Sequence, residues 1–152
     1  MPTRYAHTNI VAEDWRKLAT FYEVVFDCVP VPPVRQQDAA WLAQGTGVKD
    51  AALKGVHLRL PGFADGAAPT LEIYNYRQVE PRLPAAANRL GLGHLAFAVD
   101  DVQATLDAVI KHGGRALGEL TQAEVEGVGL LTFVYACDPE DNILELQHWD
   151  TV

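Results

Sequence analysis

His7-Thr8-Asn9-Ile10-Val11-Ala12-Glu13-Asp14-Trp15 can be laid without a gap over His94-Leu95-Ala96-Phe97-Ala98-Val99-Asp100-Asp101-Val102. Each stretch begins with histidine, runs through an extended apolar segment, meets acidic residues and enters a helical pattern. Self-similarity of this kind marks a duplicated structural unit. In the first helix Trp15, Leu18, Ala19, Tyr22, Val25 and Phe26 recur at helical spacing. Asp14 is placed to cap it, and Pro30 to Pro33 prevent its continuation. In the second, Val102, Leu106, Val109 and Ile110 form the apolar stripe, Asp100 or Asp101 supplies the cap, and Gly113-Gly114 the stop.

Each half also closes on a matching strand. Thr70 to Tyr76 ends the first and Asn142 to Trp149 the second, with Leu71-Glu72-Ile73 over Leu144-Glu145-Leu146. Between helix and closing strand there is room for two more strands. The expected ones are Ala39 to Ala43 and Gly55 to Leu60 in the first half, Arg115 to Leu120 and Leu130 to Ala136 in the second. Longer loops in the first half are expected around Gln44 to Leu53 and Pro61 to Pro69. The fold class is therefore α+β, as two tandem β-α-β-β-β modules within one domain spanning 1–152. Module one covers about 3–76, module two about 91–149, and the Pro81- and Pro84-bearing segment 77–90 is the linker.

Strand parity turns the repeat into a site, because side chains alternate faces along a strand. Ala6, Thr8 and Ile10 share a face opposite Tyr5, His7 and Asn9. Leu95, Phe97 and Val99 oppose His94, Ala96 and Ala98. Leu71 and Ile73 oppose Glu72 and Tyr74, and Leu144 and Leu146 oppose Glu145 and Gln147. If the strands join one curved sheet, His7, Glu72, His94 and Glu145 converge on its open face, where such groups are costly without a partner. Two neutral imidazoles and two carboxylates balance the charge of one divalent ion, with Zn, Ni, Co, Mn or Fe as the candidates. A single strand histidine is usually a satisfied structural residue; recurrence of both residue types at equivalent places carries the metal reading. The remaining histidines lack that support. His57 has no repeat partner, His112 sits at a helix C-terminus, and His148 is out of phase with Glu145, so all three read as structural or surface residues. The same parity offers Tyr5, Asn9, Tyr74, Tyr76 and Gln147 as substrate-pocket candidates.

Bulk properties bound the partners. The 152 residues carry a formal net charge of −8, which argues against a nucleic-acid or anionic-membrane surface. No apolar run approaches the ~18 residues of a membrane span. The Met1-Pro2-Thr3-Arg4-Tyr5 start does not read as a signal peptide, and Cys28 and Cys137 form no spaced motif. A cytoplasmic protein with reduced, buried thiols is expected.

The chain resembles the vicinal oxygen chelate superfamily, the group of glyoxalase I, methylmalonyl-CoA epimerase, extradiol dioxygenases and bleomycin-resistance proteins. The resemblance rests on His7 with Phe21-Tyr22, on Leu71-Glu72-Ile73, on Gly91 to Asp101 around His94, and on Cys137-Asp138-Pro139 through Asn142 to Glu145-Leu146. It implies paired modules forming a cup-shaped mixed sheet around a metal, in a homodimer, acting on a small molecule. The His-Glu-His-Glu set is similar to that of bacterial glyoxalase I. The epimerases usually carry an amide where Glu72 stands, and their further acid has no clear counterpart between Trp41 and Leu60. The run from Tyr135 to Glu145 resembles the dioxygenase signature, but the upstream histidine is missing from Gln122 to Leu131. The drug-binding type usually lacks the ligands that are intact here. The resemblance thus points to a metal-dependent lyase or isomerase working through an enolate-like intermediate. A small-molecule binding protein of antibiotics or aromatics, or an extradiol-type dioxygenase, is the alternative. It also gives Glu145 the catalytic role of a mobile base and Glu72 that of a fixed ligand. Ile73, Tyr74 and Tyr76 are expected to stiffen the strand face around Glu72, and the Asp138 to Asn142 turn to leave the Glu145 strand end looser.

Overall fold

The apolar and turn pattern of the first half folds, in the computed structural model, as β1 (His7–Val11), α1 (Trp15–Phe26), β2 (Val29–Gln37), α2 (Ala40–Thr46), β3 (Leu53–Arg59) and β4 (Thr70–Tyr76). The second half folds as β5 (Leu95–Ala98), α3 (Val102–Lys111), β6 (Arg115–Ala116), β7 (Thr121–Val125), β8 (Gly129–Cys137) and β9 (Ile143–Thr151). The structure describes residues 2–64, 66 and 68–151; of the expected 61–69 loop, positions 65 and 67 lie outside the described residues. Two compact units result, Met1–Arg82 and Leu83–Val152.

In the first unit the strand order is β1-β4-β3-β2, with β1 parallel to β4 and the other pairs antiparallel. In the second, β5-β9-β8-β6 repeats that plan, with β5 parallel to β9 and β7 added against β8. The α+β class and the repeated β-α-β-β-β order are as expected. The strands form two mixed sheets, one in each unit.

Asp14 caps α1 by accepting from the amides of Arg16 and Lys17, both at 3.2 Å. The helix buries Trp15, Leu18, Ala19, Phe21, Tyr22 and Phe26. Asp101 caps α3 in the same way through the Ala104 amide at 2.9 Å, and Val102, Leu106 and Val109 are buried there. Ile110, expected in that stripe, is 49% exposed. At the end of α3, Gly114 approaches β8 so closely that a Cβ would lie 2.4 Å from the Cys137 carbonyl oxygen, so only glycine fits. In each sheet the large aliphatics occupy one face. Leu58, Leu71, Ile73, Val134, Leu144 and Leu146 are essentially inaccessible. Leu144→Ala should destabilise the fold by about 2–5 kcal/mol, the usual cost of a large-to-small core change, read as a lower denaturant midpoint at unchanged slope.

Two expected strands need correction. Ala39 to Ala43 is not a strand: Ala39 is the N-cap of α2 and residues 40–43 form its first turn, with Gly47 closing the helix in the left-handed region (φ 73°). Its Leu42 is buried with Ala51 and Leu53. A five-residue apolar alternation cannot by itself be told from one helical turn, and Ala, Leu and Gln favour helix. The strand that fills this place is β2, which runs straight through the proline cluster. It can do so because it is the edge strand, and because the register shifts between Val31 and Arg35, leaving Pro32 and Pro33 out of the ladder. In the second half, only Arg115–Ala116 of the expected Arg115 to Leu120 strand pairs, and Thr121–Val125 forms β7 instead.

Candidate functional site

The register of each sheet places histidine and glutamate in the same relation twice. Asn9 pairs with Glu72 across the parallel β1–β4 ladder, and Ala96 pairs with Glu145 across β5–β9. His7 and His94 each lie two residues earlier, hence on the face of that pairing position. The side chains meet accordingly. His7 Nδ1 is 3.3 Å from Glu72 Oε1, and His94 Nε2 is 2.9 Å from Glu145 Oε2. The four candidate ligands therefore come as two pairs, one in each unit. Among the described residues, no group of three or more His, Cys, Asp and Glu side chains is arranged to hold a metal ion.

Glu72 is only 8% exposed, and a buried carboxylate needs donors. It has more than the repeat provides. On the other side of β4, His57 pairs with Glu72 in the antiparallel β3–β4 register. Its Nε2 lies 3.2 Å from Glu72 Oε1 and 2.6 Å from the Tyr74 hydroxyl. Burial lowers the His57 pKa, helped by Arg35 and His7 and opposed by Glu72. Burial raises that of the Tyr74 hydroxyl, with the Glu72 charge and hydrogen bond adding to it. The reading of His57 as merely structural is thus incomplete: it shares the carboxylate with His7. The signal was present in the parity of β3, where Val56 and Leu58 are buried and His57 must take the opposite face. At the equivalent register position of the second unit stands Tyr135, opposite Glu145, with its ring centroid 4.8 Å from that of His94.

The pocket candidates divide. Tyr74 lies beside His57 and Glu72, and Asn9 Nδ2 donates to the Glu72 backbone carbonyl at 3.4 Å. Tyr5 is 67% exposed and its hydroxyl meets Thr8 Oγ1. Tyr76 packs against Leu42, Ala51 and Leu53 and borders an open cleft of about 390 Å³ with Gln36, Lys54 and Arg77. Gln147 Oε1 accepts from Trp149 Nε1 at 3.0 Å. His148 Nδ1 lies 2.8 Å from the Val99 carbonyl oxygen, which raises its pKa, while the His112 amide closes the end of α3 onto Ala108.

The Asp138 to Asn142 turn, expected to leave the Glu145 strand end looser, is tightly tied. Asp138 is 2% exposed and accepts from the amides of Glu140 and Asn142 and from Asn142 Nδ2, at 2.8–3.0 Å. Both cysteines are free and buried. Burial, with Asp27 and Glu23 nearby, pushes the Cys28 thiol up from 9.0 to about 12. Because the folded thiol holds its proton more tightly, its contribution to stability is complete below pH 9.0 and falls as pH rises toward about 12. Cys28 should resist aromatic disulfide reagents at pH 8 in the native protein and react at once in denaturant; fast native labelling would contradict this.

A family model described as the glyoxalase/bleomycin resistance protein/dioxygenase superfamily matches residues 4–146. The chain belongs to that superfamily. Among solved structures it resembles a glyoxalase family protein from Bacillus cereus, with TM-score 0.82 and 18% identity over 98% of this chain and 95% of the other. A glyoxalase family protein from Enterococcus faecalis matches with TM-score 0.59 and 24% identity, over 95% of this chain and 96% of the other. A glyoxylase/bleomycin resistance protein/dioxygenase domain from Frankia sp. matches with TM-score 0.58 and 17% identity, over 99% and 100%. Likeness at these identities shows the fold. Comparison with curated proteins gives no match. Among the described residues no helix is long and apolar enough to cross a membrane.

Proposed function

We propose that the protein is a metal-dependent lyase or isomerase of glyoxalase type, with His7, Glu72, His94 and Glu145 as ligands of one divalent ion. The observation that carries this reading is the doubled His–carboxylate pair at matching register in both sheets. The donor set fits the group: imidazole nitrogen and carboxylate oxygen together suit Zn, Ni, Co, Mn or Fe, and the charges balance. A bound ion would supply electrostatic stabilisation of the negative charge that develops on adjacent oxygens of a substrate as an enolate forms. The chain's own part is positioning and proton transfer. His7 and His94 present ring nitrogens beside the two carboxylates. Glu72, buried and held by several donors, orients. Glu145 is assigned to take and return the carbon-bound proton. The substrate is a small molecule with oxygens on neighbouring atoms, and the working form is a cytoplasmic homodimer.

The test is solvent deuterium exchange and turnover with the hemithioacetal of methylglyoxal and glutathione, in metal-loaded and metal-stripped protein. Metal-dependent exchange supports the reading. Rapid oxygen uptake with a yellow ring-opened product from catechol and ferrous iron would replace it with a dioxygenase. The second reading is a binding protein for a small aromatic or antibiotic. A tight complex with an unchanged molecule, insensitive to chelator, would support that reading.

A further inference from the structure

Arg35, His57 and Tyr74 have no place in the ligand set, yet His57 and Tyr74 meet the Glu72 carboxylate and Arg35 reaches His57. The β2–β3 register sets Arg35 opposite Gly55, and the β3–β4 register sets Gly55 opposite Tyr74 and His57 opposite Glu72. These positions share one face of the first sheet. Gly55 makes the arrangement possible. A Cβ there would fall 2.0 Å from the Ile73 carbonyl oxygen and 2.5 Å from Tyr74 Cδ1. The Tyr74 ring therefore lies close over the glycine, and its hydroxyl reaches His57 Nε2.

The hydrogen bonds then fix a tautomer. An Arg35 guanidinium nitrogen lies 3.5 Å from His57 Nδ1. A guanidinium has donors only, so a hydrogen bond there calls for Nδ1 as acceptor and the ring proton on Nε2. That N–H faces Glu72 Oε1 at 3.2 Å and the Tyr74 oxygen at 2.6 Å. The tyrosine O–H is left to donate to the Glu72 side chain, with which it is hydrogen-bonded. We propose that Arg35, His57 and Tyr74 are positioning residues that lock the Glu72 carboxylate in one orientation through the Nε2–H tautomer of His57. The inference rests on the metal reading above and deepens it: the lock makes Glu72 the fixed ligand of the two glutamates. The second unit does not repeat it. Tyr135 stands where His57 would be, and Phe133, opposite Gln147, stands where Gly55 would be.

The test has two parts. Nitrogen-15 NMR of histidine-labelled protein without metal should show His57 as the Nε2–H tautomer near neutral pH, and Arg35→Met should weaken that preference. Cobalt(II) titration, followed by its visible absorption and by calorimetry, should give about 10–100-fold weaker binding for Tyr74→Phe and His57→Leu, the usual cost of losing a partner that orients a ligand. His57→Gln, whose amide N–H can take the place of Nε2–H, should recover most of it, a rescue that a purely structural role would not give. Tyr74→Phe removes one hydroxyl and keeps the packing, so it reads the inference even if His57→Leu fails to fold. An Nδ1–H tautomer, or cobalt affinity and spectrum unchanged in Tyr74→Phe, would overturn the inference and leave the metal reading standing. No cobalt binding by the unaltered protein would overturn the metal reading, and the inference with it.

Discussion

Glu145→Gln is expected to keep most of the metal affinity and to lose about 10²–10⁴-fold in turnover, the usual worth of a positioned acid or base. The amide oxygen can still ligate, but the group cannot accept a carbon-bound proton. Glu72→Gln should do the reverse, weakening metal binding and costing less turnover at saturating metal. The two glutamates occupy equivalent register positions, so the asymmetry must come from their neighbours. Glu72 is approached by His7, His57 and Tyr74, and its side chain is 10% exposed. Glu145, 16% exposed, has His94 as its ion-pair partner among the described residues. A carboxylate that must leave its place and return is better served by fewer tethers. Solvent deuterium exchange and metal titration on both variants read the two roles separately. Equal losses in both, or full exchange in Glu145→Gln, would show the roles shared or reversed.

The surroundings of the two glutamates differ in another way than the sequence suggests. The turn before Glu145 carries proline, acids and asparagine, a composition that reads as mobile. Asp138 instead folds inward and collects three donors, so that strand end is anchored. The difference lies on the Glu72 side, in a histidine that the repeat could not flag because its counterpart is a tyrosine. The repeat passes over His57, whereas strand parity finds it: with Val56 and Leu58 in the core, His57 takes the opposite face, beside Glu72.

The same contrast runs through the fold. The β1–α1 and β5–α3 units were legible because an apolar period, a capping aspartate and a following helix agree locally. β2 was not, since a proline cluster argues against a strand unless the strand is known to be an edge, and edges are a property of the whole sheet. α2 was missed for the opposite reason, its one buried residue, Leu42, being too little pattern to separate helix from strand. The pocket candidates fared according to their neighbours. Parity placed Tyr74 and Glu72 on one face, but it could not show that Gln147 is engaged by Trp149 or that Tyr76 packs against α2.

The second large effect concerns the ion itself. Each histidine supplies one neutral nitrogen donor, and alanine supplies none, so removing both takes away every nitrogen donor of the proposed set. His7→Ala combined with His94→Ala should therefore abolish binding rather than weaken it. The measurement is elemental analysis with cobalt or zinc titration, on protein purified without chelator above acid pH, because both conditions strip such sites. The account predicts about one equivalent of divalent metal per chain in the unaltered protein and none in the double variant, as expected where the ligands are the binding energy. Full metal content in the double variant, or no uptake by the unaltered chain, would contradict it.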